Sequence, residues 1–195
     1  MALSDIDMTK VKYYDYNNEV NIPKNGQIQL DKDKLALEDF IKNNVEPNTK
    51  SFSSLKERFQ WLEENDYIEE EFMNKYSEAF IEKLYDYLKA QNFHFHSFMA
   101  AYKFYAQYAL RTNDKKYYLE NYIDRVAMNA LYLANGDEEL AMQLADEIIH
   151  QRYQPATPTF LNVGRKRRGE FVSCFAIQTT DDMNTIGRTI NSALQ

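Results

Sequence analysis

The stretch TPTFLNVGRKRRGEFVSCF, residues 157–175, holds side chains that could do chemistry, among them Cys174. Cys174 is the single cysteine of the 195-residue chain. A thiol that works in redox chemistry normally needs a second thiol, with which it closes a disulfide of defined geometry. The residues alone therefore leave two alternatives open, a reducing thiol whose partner lies elsewhere and a buried, inert cysteine.

The same stretch also offers hydroxyl groups and a basic cluster. The cluster consists of Arg165, Lys166, Arg167 and Arg168, and the arginine guanidinium is a planar fork of donors that suits phosphate. Four consecutive cations are also typical of a solvated turn. The hydroxyl of Thr157 has a similar alternative, since threonine hydroxyls in turns often bond their own backbone.

Composition excludes several classes of function. The formal net charge of -7 and the pI of about 5.1 argue against a general affinity for nucleic acid or an anionic membrane. One cysteine excludes an intrachain disulfide framework, and we see no apolar run that could serve as a signal peptide or a membrane span. We expect a reducing, cytoplasmic setting. The 15 tyrosines and 12 phenylalanines, with only 5 glycines, favour packed aromatic helices.

Most of the chain shows helical periodicity. A short hairpin is expected at Asn25-Gly26, and helices are expected over residues 31–44 and 53–65, the second with the capping-box pair Ser54 and Glu57. Four further amphipathic segments follow, at residues 77–90, 97–110, 115–136 and 137–153. Gly136 should end one helix and Asp137 should cap the next, which predicts an αα-hairpin.

Some side chains in these helices have a functional alternative. Tyr102, Tyr105 and Tyr108 have the spacing of a buried packing stripe, which we favour over a radical or stacking path. His94 and His96 lie close together, but with no cysteine or third histidine nearby we do not predict a metal site.

Helical periodicity fails at Pro155. Residues 155–164 are predicted as an ordered loop in which Pro158 pushes Thr157 toward an extended conformation. A strand is predicted over residues 171–177, and then a helix capped by Asp181 or Asp182. That helix should turn an apolar face inward, formed by Met183, Ile186, Ile190 and Leu194. Because a lone strand must join a sheet, we expect a chain truncated at Gln195.

The series PATPTFLN, RKRRGE and SCF, with SFMAAYKFYAQYALRTNDKKYYLENYIDRVAMNALYLANGD upstream, resembles the large catalytic subunit of class Ib ribonucleoside-diphosphate reductase. The resemblance runs from about residue 15 to the end and covers only the N-terminal portion of that subunit. It implies a helical region at residues 1–85, reduced to a partial cone-like segment, and an all-α domain at residues 86–164. Residues 165–195 would be the first strand and helix of a truncated, ten-stranded α/β barrel, so the fold class is mainly α.

The resemblance also implies a reaction and its residues. The family reduces ribonucleoside diphosphates to 2'-deoxyribonucleotides by thiyl-radical chemistry, and Cys174 matches one of its two reducing cysteines, the partner lying beyond this chain. Thr157 matches a threonine that holds the substrate phosphates, and Ser173 a residue at the ribose end. Asp181 matches the carboxylate that binds the ribose of a specificity effector, although it would also suit a helix cap.

The remaining expectations come from the family alone. No cofactor or metal is expected on this chain itself. A dimetal tyrosyl radical would reside in a small partner subunit, ATP or deoxynucleotides would act as effectors, and a glutaredoxin-like or thioredoxin-like protein would be the reductant. The full-length subunit would form a homodimer through the last helix. The chain alone would be inactive. The alternative is a self-contained helical interaction module with an inert cysteine.

Overall fold

A computed structural model describes residues 12–174 and 176–195, and its regular structure is helical. The α-helices are α1 Tyr13–Val20, α2 Leu30–Phe40, α3 Leu55–Glu64, α4 Glu70–Met73, α5 Glu78–Ala90, α6 Phe98–Lys103, α7 Tyr122–Ala134, α8 Glu138–Ile149, α9 Thr157–Asn162 and α10 Met183–Leu194. Two π-helical segments, Ile41–Val45 and Phe104–Tyr108, continue α2 and α6, and a 3-10 turn spans Glu46–Asn48. In the described ranges, β-structure is limited to isolated bridges. The predicted mainly helical fold is confirmed.

Helix starts follow the small polar residues of the sequence. The Ser54 hydroxyl accepts a hydrogen bond from the Glu57 amide at 3.1 Å, as predicted for the start of α3. The Glu57 carboxylate, however, accepts from the amide of Ser53 at 2.8 Å instead of that of Ser54. The cap is therefore present, while the return bond of the predicted capping box is made one residue earlier.

The two predicted reversals of the chain are confirmed. Lys24 and Gln27 exchange backbone hydrogen bonds of 2.9 and 3.1 Å around Asn25 and Gly26, whose φ angles of 53° and 76° fit a tight hairpin turn. Between α7 and α8, Gly136 has a φ of 103°, a conformation that glycine adopts readily. The next residue, Asp137, caps α8 by accepting from the Leu140 amide at 3.0 Å.

The centre of the core is α7, which packs against α4, α5, α8 and α9. Its residues Arg125, Val126, Met128 and Leu131 are each at most 1% exposed, and they point to different sides of the helix. Such burial on several faces is expected for a central helix in a helical domain. Because α9 packs against α7, the core fixes the position of α9 and of the segment that follows it.

The predicted tyrosine stripe is only partly buried. Tyr105 belongs to the core, Tyr108 is half-buried, and Tyr102 is 41% exposed while its ring contacts Tyr13 and Phe98. The three side chains diverge because α6 gives way to the π-helical segment Phe104–Tyr108, which changes the residue spacing per turn.

Two predicted elements are wrong. Residues 115–121 are not helical, because Tyr118 forms bridges with Thr49 and Arg111 and the helix begins only after its cap, Asn121. The predicted loop at residues 155–164 contains α9. Its extended residue is Ala156, with φ -53° and ψ 147°, and Pro158 occupies the first turn, where the missing N–H needs no partner.

The end of the chain differs most from expectation. The described residues of 171–177 form no strand, and they have no neighbouring strand with which to pair. The strand stays a prediction. Helix α10 forms as predicted, yet its apolar side chains are not turned inward: Met183 and Leu194 are each 82% exposed. No helix in the described residues is long and apolar enough to cross a membrane.

Candidate functional site

Helix α9 connects the helical body to the candidate site. Its ring Phe160 is buried, and the Phe160 carbonyl accepts a hydrogen bond from the Asn129 side chain at 3.2 Å. The next carbonyl past the helix, that of Val163, accepts from the buried guanidinium of Arg125. Both donors belong to α7, so the central helix of the core fixes the C-terminal end of α9.

Helix α9 in turn holds the segment that leads to the cysteine. The Asn162 side chain donates to the Glu170 carbonyl at 2.9 Å and accepts from the Gly169 amide at 3.2 Å. The Thr159 hydroxyl donates to the Phe171 carbonyl at 3.2 Å. These bonds fasten residues 169–171 to the helix that begins with Thr157, and Cys174 follows three residues later.

The cysteine itself is accessible. Both Ser173 and Cys174 are exposed, and the serine hydroxyl lies 3.6 Å from the cysteine sulfur. The expectation of a buried cysteine under the alternative reading is therefore wrong, and the reactivity of Cys174 stays a prediction. An exposed sulfur can reach a substrate or a second thiol, whereas a buried one cannot.

Thr157 presents its hydroxyl at the N-terminal end of α9. The residue is exposed, and its Oγ1 lies 3.2 Å from the hydroxyl of Tyr108. Thr157 and Cys174 are thus held by one framework, the first as the opening residue of α9 and the second through the fastened segment 169–171. Among the described residues, no hydrogen bond joins Thr157 directly to Cys174.

The basic cluster does not act as one unit. Arg165 is 9% exposed, and its guanidinium pairs with Glu120 at 2.9 Å and donates to the Tyr108 carbonyl. The Nζ atom of Lys166 lies 3.9 Å from Oδ1 of Asp66. Arg165 is therefore buried within the protein, whereas Lys166 is exposed and its ion pair lies at the surface.

The last two cations of the cluster, Arg167 and Arg168, differ in their partners. Arg168 forms an ion pair with Glu69, and its guanidinium lies 4.9 Å from the centre of the Phe171 ring. Arg167 is exposed, and no acidic residue in the described parts of the chain pairs with it. Arg167 is therefore the cation of the cluster that has no ionic partner among the described residues.

The sequence did not predict the role of Glu120. Its side chain is 1% exposed, and it holds Arg165 in place through an ion pair. Its carboxylate also pairs with fully buried Arg125 at 3.2 Å and accepts from the Leu110 amide at 2.9 Å. Burial alone would raise the pKa of Glu120, but the neighbouring guanidiniums outweigh it and hold the pKa below its usual value. Nothing in the sequence signals this role, because glutamate is rarely buried and is normally on the surface.

The two aspartates before α10 have separate environments. Asp182 caps the helix: it accepts from the Thr185 amide at 2.9 Å and from the hydroxyls of Thr180 and Thr185, each at 2.5 Å. These hydrogen bonds, led by the one from Thr180, lower the pKa of Asp182 to about 2. Asp181 is exposed and does not cap the helix, so its predicted second role as a cap is wrong. No described hydrogen bond joins Asp181 to Thr157, Ser173 or Cys174.

The histidines show no metal centre. His94, His96 and His150 line a cavity of about 260 Å³. Within residues 12–174 and 176–195, no three or more potential ligands are grouped so that they could hold a metal ion.

Two family models match consecutive parts of the chain. Residues 13–93 match the family described as "Ribonucleotide reductase N-terminal", and residues 94–168 match "Ribonucleotide reductase, all-alpha domain". Together the two matches cover all the described helices from α1 to α9. The chain belongs to the ribonucleotide reductase family. The predicted domain boundaries at 85/86 and 164/165 stay predictions.

Curated relatives are ribonucleoside-diphosphate reductase alpha subunits. The chain is 48% identical to the subunit alpha of Bacillus subtilis over 184 residues, which are 94% of this chain and 26% of the relative. It is 48% identical to that of Mycoplasma genitalium over 183 residues, 94% of this chain and 25% of the relative. For Mycoplasma pneumoniae the identity is 51% over 163 residues, 84% and 23% of the two chains. The chain thus spans about a quarter of the length of these relatives.

Proposed function

We propose that this chain forms the N-terminal part of the large subunit of a class Ib ribonucleoside-diphosphate reductase. The subunit converts a ribonucleoside diphosphate to its 2'-deoxy form by thiyl-radical chemistry. Two cysteine thiols supply two electrons and two protons, become a disulfide, and the 2'-hydroxyl leaves as water. The observation that carries the proposal is the exposed thiol of Cys174 on a segment fastened to the helix that begins with Thr157.

The residue roles are those that the resemblance to the family implies, and the exposure of the side chains supports them. Cys174 is one of the two reducing thiols. The second thiol must lie outside these 195 residues, which include a single cysteine. Thr157 binds the substrate phosphates through a neutral hydroxyl, and Ser173 lies at the ribose. Asp181 binds the ribose of a nucleotide effector, a role supported by its exposure and by the fact that Asp182 caps α10 instead.

The exposed apolar surfaces of the last segment support further assembly. Val172 is 73% exposed in the segment predicted as a strand, and we propose that this segment joins the sheet of an α/β barrel. The apolar side chains of α10, including Met183 and Leu194, would pack in a homodimer of the whole subunit.

The partners and the cellular setting are proposals of the same kind. A small subunit would supply a tyrosyl radical from its dimetal centre, and a thioredoxin-like or glutaredoxin-like protein would reduce the disulfide in the cytoplasm. ATP and deoxynucleotides would regulate the enzyme. A polypeptide of these 195 residues alone would make no deoxynucleotide, because one cysteine cannot form the intrachain disulfide.

A chimeric subunit tests the proposal. Residues 13–195 replace the matching part of the Bacillus subtilis subunit alpha, and formation of dCDP from CDP is measured with that organism's small subunit and a thioredoxin system. We expect turnover by the chimera, and none above the level without small subunit after Cys174→Ser. A chimera without turnover, or a Cys174→Ser variant that keeps it, would contradict the proposal.

A helical interaction module is the second candidate, and the self-sufficient core of α1 to α9 favours it. In that case Cys174→Ser in the chimera would leave turnover unchanged. Alkylation of Cys174 by iodoacetamide in the folded chimera is a second test. A thiol that takes part in the reaction must react with iodoacetamide unless substrate protects it.

A further inference from the structure

We propose that Tyr108 is a positioning residue, which orients the hydroxyl of Thr157 toward the phosphate oxygens of a nucleoside diphosphate. The inference rests on the proposed function and adds to it a residue outside the PATPTFLN and SCF motifs. Its starting point is the 3.2 Å contact between the Tyr108 hydroxyl and Thr157 Oγ1. The contact joins residues 49 positions apart, so the fold and not the local sequence creates it.

Apart from the contact with Thr157, Tyr108 is held at two points, its ring and its carbonyl, which fix the position of its hydroxyl. Its ring meets the ring of buried Phe160 edge-on, with centroids 5.8 Å apart. Its carbonyl accepts a hydrogen bond from Arg165, and that guanidinium is itself paired with Glu120 at 2.9 Å. Phe160 and Thr157 belong to the same short helix. The packing of Tyr108 on Phe160 therefore also restricts the distance between Tyr108 and Thr157.

The direction of the hydrogen bond matters for binding an anion. A phosphate oxygen only accepts hydrogen bonds, so Thr157 must keep its own proton for the ligand. It can do so when Tyr108 donates its proton to Thr157 Oγ1. The tyrosine then also polarises the threonine hydroxyl and strengthens its bond to the phosphate.

The contact is long for two hydroxyl groups, whose usual separation is about 2.5 to 3.0 Å. Hydrogen bonds in binding sites are often long without substrate and shorten once the substrate is bound. A bound phosphate favours the orientation in which Tyr108 donates to Thr157. We therefore expect the distance between the two hydroxyl groups to shorten when the substrate binds.

The first measurement is the steady-state kinetics of Tyr108→Phe in the Bacillus subtilis chimera, with CDP as substrate. Loss of one hydrogen bond that acts on substrate binding should raise KM about three- to tenfold. The turnover number should change less than about twofold, because the bond is made in both the ground state and the transition state. Tyr117→Phe is the matched control: that side chain is 47% exposed and its hydroxyl makes no described hydrogen bond.

A double-mutant cycle with Thr157→Val separates positioning from a general structural effect. If Tyr108 acts through Thr157, adding Tyr108→Phe to Thr157→Val should raise KM no further. An unchanged KM in Tyr108→Phe would overturn the inference, and so would an undiminished effect in the Thr157→Val background. Either result would leave the proposed function standing, whereas a chimera without any turnover would contradict the proposed function and the inference together.

Discussion

The helical body, residues 12–168, and the end segment, residues 169–195, treat their apolar residues in opposite ways. In the body, Leu84, Leu88 and Leu131 have no exposed surface. In the end segment, Met183 and Leu194 are each 82% exposed, and α10 buries none of its residues. Both regions have amphipathic helices with a regular apolar face. The periodicity of a helix therefore tells which face is apolar but not what covers it.

The two regions also differ in what they contain. The body contains the core, the buried ion pairs of Glu120 and one proposed site residue, Thr157, whereas the end segment contains the other three, Ser173, Cys174 and Asp181. The two are connected through α9, whose side chains Thr159 and Asn162 hold residues 169–171. A substitution in the body should thus lower the free energy of unfolding, and one in the end segment should leave it nearly unchanged.

Two leucine-to-alanine variants give the largest expected difference. Leu84→Ala removes a fully buried side chain and should lower the free energy of unfolding by about 2 to 5 kcal/mol. Leu194→Ala changes an 82% exposed side chain and should lower it by less than about 0.5 kcal/mol. Urea unfolding of the 195-residue chain, followed by circular dichroism, measures both values.

The pair contradicts the division if both variants lose comparable stability. A large loss for Leu194→Ala would mean that α10 packs on the body in solution. The chain concentration should be varied, because an effect that grows with concentration would instead reveal α10 buried between two copies.

The sequence was informative where structure is determined locally. The hairpin at Asn25-Gly26, the cap at Ser54 and the junction at Gly136 and Asp137 depend on residues within a few positions of one another, and all three are confirmed. Tertiary contacts overrode the local pattern elsewhere. Tyr118 bridges Thr49, a residue remote in sequence, and this contact delays the start of α7.

The candidate site was predictable only in part. Motif resemblance pointed to Thr157, Ser173, Cys174 and Asp181, and the structure adds exposure for all four. The motifs could not indicate Glu120, since the importance of that carboxylate comes from its ion pairs with Arg125 and with Arg165, which lies 45 residues further along the chain. For the same reason the run at 165–168 looked uniform in the sequence, although Arg165 is buried against Glu120.

Two glycines provide a smaller test with effects of opposite sign. Gly164 has a φ of +73°, and a Cβ there would lie 3.0 Å from Met128 Cε and from Phe72 Cζ. Gly164→Ala should lower the free energy of unfolding by about 1 to 3 kcal/mol, because strain and crowding add. Gly187 lies within α10 with nothing within 4 Å of its Cβ position, so Gly187→Ala should stabilise that helix by about 0.5 to 1 kcal/mol.

Different measurements suit the two glycines. Urea unfolding reports on Gly164→Ala, since the body dominates that transition. Cα chemical shifts of residues 183–194 report on Gly187→Ala and should move toward helical values. A Gly164→Ala variant as stable as the unmodified chain would show that Met128 and Phe72 move aside easily, contrary to rigid packing around Gly164.

The smallest effect concerns pH and the two aspartates before α10. Hydrogen bonds from Thr180 and Thr185 lower the pKa of Asp182 from 3.8 to about 2. A carboxylate with a lowered pKa stabilises the folded form above its ordinary pKa, and this contribution is lost as the pH falls through the lowered value. The N-terminal turn of α10 should therefore fray between about pH 4 and pH 2, which the Cα chemical shifts of residues 183–186 would record.

Asp182→Asn is the control for this prediction. It keeps a capping oxygen that does not titrate, so the chemical shifts of this variant should stay constant over the same pH range. Asp181→Asn should titrate like the unmodified chain, because Asp181 is not the cap. If Asp181→Asn abolished the pH dependence instead, Asp181 would be committed to the helix, and its proposed role at an effector ribose would lose its structural support.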